Sequence, residues 1–117
     1  MNDIDYEFRI KTDEYEEGLD ELDVIRRGLE TSEENVFYFK KHTFEFIKDK
    51  FNGEQSPEDL RQINEFEEDV AEAYTKVEES FMEEEEEIQT EQRRLSNERD
   101  ELEAEYRRKL SEEDDWW

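Results

Sequence analysis

Very few residues in this 117-residue sequence carry the means for chemistry, and their spacing limits what they can do. There is one histidine, His42, and no cysteine. A single imidazole with no nucleophile or orienting carboxylate at motif spacing gives no catalytic triad or Cys-His pair. His42 therefore reads as a surface or packing residue. Without thiolates there is no disulfide framework and no ordinary zinc site. Residues 83–87 are five consecutive glutamates. They lack the alternating ligands and the glycine of a calcium loop, so they read as a solvated helix face. Carboxylate pairs abound, but general acid catalysis needs a pocket that shifts a pKa. No glycine-rich phosphate loop is present. The expectation is a protein that is not an enzyme, with no catalytic, cofactor-binding or metal residues and no cofactor.

What the sequence does offer is recognition chemistry. Eight Phe and five Tyr stand in a chain that is 48% charged, with 40 acidic against 16 basic residues and a net charge of -24. Disordered acidic chains are poor in aromatics, so a folded chain is expected. Such a field repels nucleic acid and anionic lipid, which leaves proteins as partners. Met1 to Ile10 has no apolar core, so no secretory signal is expected there. No stretch approaches the ~18 apolar residues of a membrane span.

These side chains must be positioned by helices. The breaker cluster Phe51-Asn52-Gly53-Glu54-Gln55-Ser56-Pro57 is the one strong turn signal. Gly53 suits a positive-φ position after a helix end, Ser56 an N-cap and Pro57 the first helical position. Lys48 and Lys50 before the turn, and Glu58 and Asp59 after it, complement the helix dipoles. On either side, apolar residues repeat every seven positions. Before the turn they are Phe8, Tyr15, Leu22, Leu29 and Val36, with Ile4, Ile25, Phe39 and Phe46 as companions and Leu19 and Ile47 flanking. After it they are Leu60, Tyr74, Phe81, Ile88, Leu95 and Leu102, with Ile63, Val70 and Val77 as companions. A heptad stripe of this length predicts coiled-coil-like pairing.

The expected fold is thus all-α, a two-helix antiparallel coiled-coil-like hairpin. Helix 1 spans 13–51, the turn 52–57 and helix 2 58–112. Residues 1–12 form an N-terminal segment whose order is left open, and 113–117 an acidic tail ending in Trp116 and Trp117. The expected hairpin core is Leu22, Leu29, Val36, Phe39, Phe46, Ile63, Val70, Val77, Phe81 and Ile88. Folding near residue 55 sets Phe8 by Leu102 and Leu29 by Phe81. Gly18 and Gly28 each weaken helix 1 by about 1 kcal/mol relative to Ala.

A second stripe, Phe37, Phe44 and Phe51, lies roughly 160° around helix 1 from Phe39 and Phe46 at ~100° per residue. One neighbouring helix cannot cover both, and Phe66 sits at the margin of the opposite seam. An apolar face left over in this way marks a docking surface. Trp116 and Trp117 are further candidates for anchoring a partner.

Two helices meeting at an aromatic-x-Gly turn, Phe51-Asn52-Gly53, with aromatic-rich stretches Val36-Phe37-Tyr38-Phe39 and Phe44-Glu45-Phe46-Ile47 before it and a charged helix over 92–108, resemble the WXG-type proteins of bacterial type VII secretion. The likeness covers roughly residues 15–112 and is nearest to the small helical partner proteins encoded beside LXG toxins. It implies a WXG-like, non-catalytic adaptor that binds the helical N-terminal domain of such a toxin and supports its export. A second small helical protein would be a further partner. The chain would act in the bacterial cytoplasm or leave with its partner. Phe51 stands where that family has Trp. The family's export signal, an aromatic-x-x-x-acid near the end of helix 2, has no counterpart, because Leu110 follows Tyr106. Tyr74 with Glu78, and Phe81 with Glu85, fit that pattern only in mid-helix. Two other classes fit the composition: an acidic mimic of nucleic acid that inhibits a basic protein, and a self-assembling structural coiled coil.

Overall fold

The computed structural model describes residues 3–51, 53 and 55–114. Two helices, α1 (Asp3–Lys50) and α2 (Pro57–Asp114), account for nearly all of them, and no strand occurs among the described residues. The fold is an all-α antiparallel hairpin of coiled-coil-like character.

Local chemistry sets the helix ends. Asp3 and Asp5 lie in the first turn of α1, and Lys48 and Lys50 in its last, each opposite in sign to the local end of the dipole. The Phe51 amide still donates to the Ile47 carbonyl at 3.1 Å, and Gly53 then takes a φ of 148°, open to glycine without a Cβ penalty. Ser56 caps α2: its Oγ accepts from the Asp59 amide at 3.1 Å and its carbonyl from the Leu60 amide at 2.9 Å. Pro57 is the first helical residue, as its first-position reading expects, one residue before the expected start of helix 2 at 58. Asn52 of the expected turn lies outside the described residues, as do Trp116 and Trp117.

The chain divides into two compact units. The first joins residues 3–26 of α1 to residues 86–114 of α2. Residues 3–12, whose order the sequence left open, are helical here. The Phe8 and Tyr106 rings stack with centroids 4.0 Å apart, and the Tyr106 hydroxyl donates to Asp5. The expected neighbour Leu102 shares a cavity lining with Phe8, but the ring contact falls one turn further along α2. Ile88 is buried in this unit. A Cβ at Gly18 would lie 3.1 Å from the Leu95 side chain, so this glycine permits a close helix approach that its low helix propensity alone does not explain.

The second unit, Arg27–Glu85, contains the turn. Its seam on α1 runs Leu29, Glu33, Val36, Lys40, Thr43 and Ile47, in alternating steps of four and three residues. Ile47 is the best-buried side chain, 2% exposed. Lys40 Nζ reaches Glu78 Oε1 on α2 at 2.9 Å. Thr43 Oγ1 donates to the Phe39 carbonyl at 2.7 Å, which leaves the Tyr74 hydroxyl to donate to Thr43 at 2.9 Å.

This seam corrects the expected core. Phe39 and Phe46 are 63% and 64% exposed, and Val77 is exposed as well. Leu29 and Ile88 are buried, while Leu22, Val36, Ile63, Val70 and Phe81 are half-buried. The frame through Leu22, Leu29 and Val36 can be completed by the row three residues on, Ile25, Phe39 and Phe46. It can equally be completed by the row four residues on, Arg26, Glu33, Lys40 and Ile47. Hydropathy favours the first. The structure takes the second, which buries Ile47 and satisfies Lys40 and Thr43 across the seam.

Candidate partner-binding surface

The candidate surface lies on the 27–85 unit. Seen along α1, Leu29 and Ile47 are eighteen residues apart and point the same way, toward α2. At about 100° per residue, Phe37 and Phe44 fall about 80° and 60° to one side of that direction. Phe39 and Phe46 fall about 80° and 100° to the other. The seam therefore passes between two phenylalanine stripes instead of consuming one of them.

The outcome differs by residue. Phe37 is 70% exposed, Phe66 51%, and Phe51 is also exposed, whereas Phe44 is half-buried beside the seam. Phe51 and Phe66 line one shallow cavity together with Ile63. Phe37 lines another, of about 300 Å³, with Val36, Phe81 and Met82. Met82, largely exposed, joins the Phe37 cavity, and Tyr38, also exposed, sets its ring edge-on to Phe39 and His42, although the heptad frames did not single them out. A helix-period reading of the flanks, and not only of the seam, would have found them.

His42 is exposed, its ring edge-on to Tyr38 at 4.2 Å and its Nδ1 3.7 Å from Glu45. Within 83–87 the picture is mixed. Glu83, Glu84, Glu86 and Glu87 are exposed, but Glu85 is half-buried at the seam. Five successive helical residues cover more than a full turn, so one of them must face the other helix. The reading of the whole run as solvated is corrected at Glu85.

In the other unit, Arg107 pairs with Glu103 and Lys109 with Glu105, one helical turn apart, at 2.6 and 3.3 Å. Arg94 bridges Glu91 and Glu98 on the same helix. Its hydrogen bond to Glu91 holds that carboxyl below the ordinary range, and the two carboxylates raise the guanidinium further. Burial and the Glu98 carboxylate push the Tyr15 phenol up. These shifts fix each group in its ordinary charge state at neutral pH. That suits structure more than proton transfer, which calls for a pKa near the working pH. Among the described residues no three potential metal ligands cluster, and no helix is long and apolar enough to cross a membrane.

Comparison with protein-family models, curated proteins and solved structures finds no match.

Proposed function

We propose that this chain is a non-catalytic adaptor that docks a helical domain of another protein, of the kind that precedes an LXG-type toxin, and supports its passage through type VII secretion. The observation that supports it is the aromatic surface of the 27–85 unit. Phe37, Tyr38, Phe39, Phe46, Phe51, Phe66 and Met82 are exposed on a unit whose only buried apolar side chains among the described residues are Leu29 and Ile47. Large apolar groups exposed on both flanks of a seam are costly in water unless a partner covers them. The aromatic-x-Gly turn and the charged α2 are what resemble the adaptor family.

The test combines light scattering and circular dichroism on the chain alone and mixed with an LXG-type N-terminal domain. The adaptor reading expects a defined heterocomplex that Phe37→Asp and Phe66→Asp abolish. A homodimer indifferent to that domain sinks it and leaves a structural coiled coil. The net charge of -24 favours one other reading, an acidic mimic that blocks a nucleic-acid-binding protein. Such a complex weakens steeply as salt rises, and an apolar helix interface does not.

A further inference from the structure

Two successive rungs of the 27–85 seam carry charge, and they differ. On one, Lys40 pairs with Glu78 at 2.9 Å across the helices. Seven residues back on α1 and seven forward on α2, the corresponding positions are Glu33 and Glu85. Both are half-buried, both line the same groove, and no cation among the described residues pairs with either. Like charges placed together in a partly desolvated seam oppose each other, and each lacks the counter-charge that makes such burial tolerable. The groove between them is floored by Val36, Phe37, Phe81 and Met82. Apolar floor and carboxylate rim together describe the complement of a basic amphipathic helix.

We infer that this groove seats a partner helix presenting an apolar stripe to Phe37 and Met82 and inserting an Arg or Lys between Glu33 and Glu85. The inference rests on the adaptor reading for the existence of a helical partner and adds the chemistry of that partner's contact face. The inserted cation supplies the rung that Lys40 supplies to its neighbour. An arginine suits it best, since its fork can donate to both carboxylates at once. A second copy of this chain is a poor occupant, because it brings its own charge of -24 to an acidic rim.

The test uses the full chain and two synthetic amphipathic helices of about five turns. They share one leucine face and are flanked by Arg in one and Glu in the other. Binding is read by fluorescence anisotropy at low salt. The Arg-flanked helix is expected to bind at least about tenfold more tightly than the Glu-flanked one. Glu33→Lys is expected to raise the thermal midpoint of the chain alone while weakening the Arg-flanked helix by about tenfold or more. Met82→Ser should weaken both peptides, and Phe39→Ser on the opposite flank should weaken neither. Equal binding of the two helices, no binding of either, or indifference to Glu33→Lys overturns the inference. So does a homodimer whose contacts cover Met82. The adaptor reading fails separately. A toxin-type domain that binds Glu33→Lys as well as the native chain leaves the adaptor standing and removes this groove. A domain that does not bind, while the Arg-flanked helix does, removes the adaptor and keeps the groove.

Discussion

The two units are built from the same helices and use their apolar residues in opposite ways. The unit of residues 3–26 and 86–114 is sparing. Its large exposed apolar residues are Tyr6, Ile10, Val24 and Ile25, and its specific contacts are made inside the pair, by the Phe8–Tyr106 stack and the Gly18–Leu95 approach. The 27–85 unit is lavish. It buries Ile47 and Leu29 and gives seam positions beside Val36 to Glu33, Lys40 and Thr43, while Phe37, Phe39, Phe46, Phe51 and Phe66 stand outside. A hairpin seam is only about two residues wide per heptad, so apolar residues beyond that number must go to the flanks. A poor seam and rich flanks in one unit are the observation on which the proposed docking surface rests.

The sharpest way to break this comparison is to strip each seam of its buried residue. Ile47→Ala is expected to cost about 2–5 kcal/mol, since the side chain is almost wholly enclosed. Ile88→Ala, in the sparser unit, should fall at the low end of that range of about 2–5 kcal/mol. Urea unfolding followed by circular dichroism measures both, and equal losses would erase the distinction. Removing the cap comes next. Ser56→Ala frees the Asp59 amide and is expected to lower stability by about 1 kcal/mol in the same assay.

The glycines test the units at a finer level. A Cβ at Gly28 meets nothing within 4 Å, so Gly28→Ala should stabilise by up to about 1 kcal/mol through helix propensity. At Gly18 the same methyl presses on Leu95, and Gly18→Ala should gain less or lose. Thermal midpoints for the pair decide it, and equal gains would show that the close approach costs nothing.

The smallest effect is on pH. Arg94 holds the Glu91 carboxyl below its usual value in the folded chain. The folded state binds that proton less readily than the unfolded one. The pair's contribution is therefore present above the ordinary carboxylate range and is lost as pH falls through the depressed value. Tyr15 runs the other way: its raised pKa favours the protonated phenol, so its contribution fades as pH climbs past 10.0, the ordinary tyrosine value. Comparing native chain with Glu91→Gln across an acid titration, and with Tyr15→Phe across an alkaline one, isolates each. A Glu91→Gln curve parallel to the native one would remove the acid part.

Much of this was written in the chain. The turn at Gly53, Ser56 and Pro57 follows from backbone rules that act within a few residues, and the helices from a seven-residue period sustained along both arms. The heptad frame through Leu22, Leu29 and Val36 was legible too, and so was the presence of more aromatic faces than one seam can hold. Period alone could not say which neighbouring row completes the frame, because the rows three and four residues on lie symmetrically about it. Hydropathy chose Phe39 and Phe46. The tertiary structure chose Lys40 and Ile47, since the opposing helix supplies Glu78 and Tyr74 to satisfy the polar seam. That choice sent Phe39 and Phe46 outward and set Glu33 and Glu85 at one groove. Local sequence carries the period, but only the second helix decides which side of the first is inside.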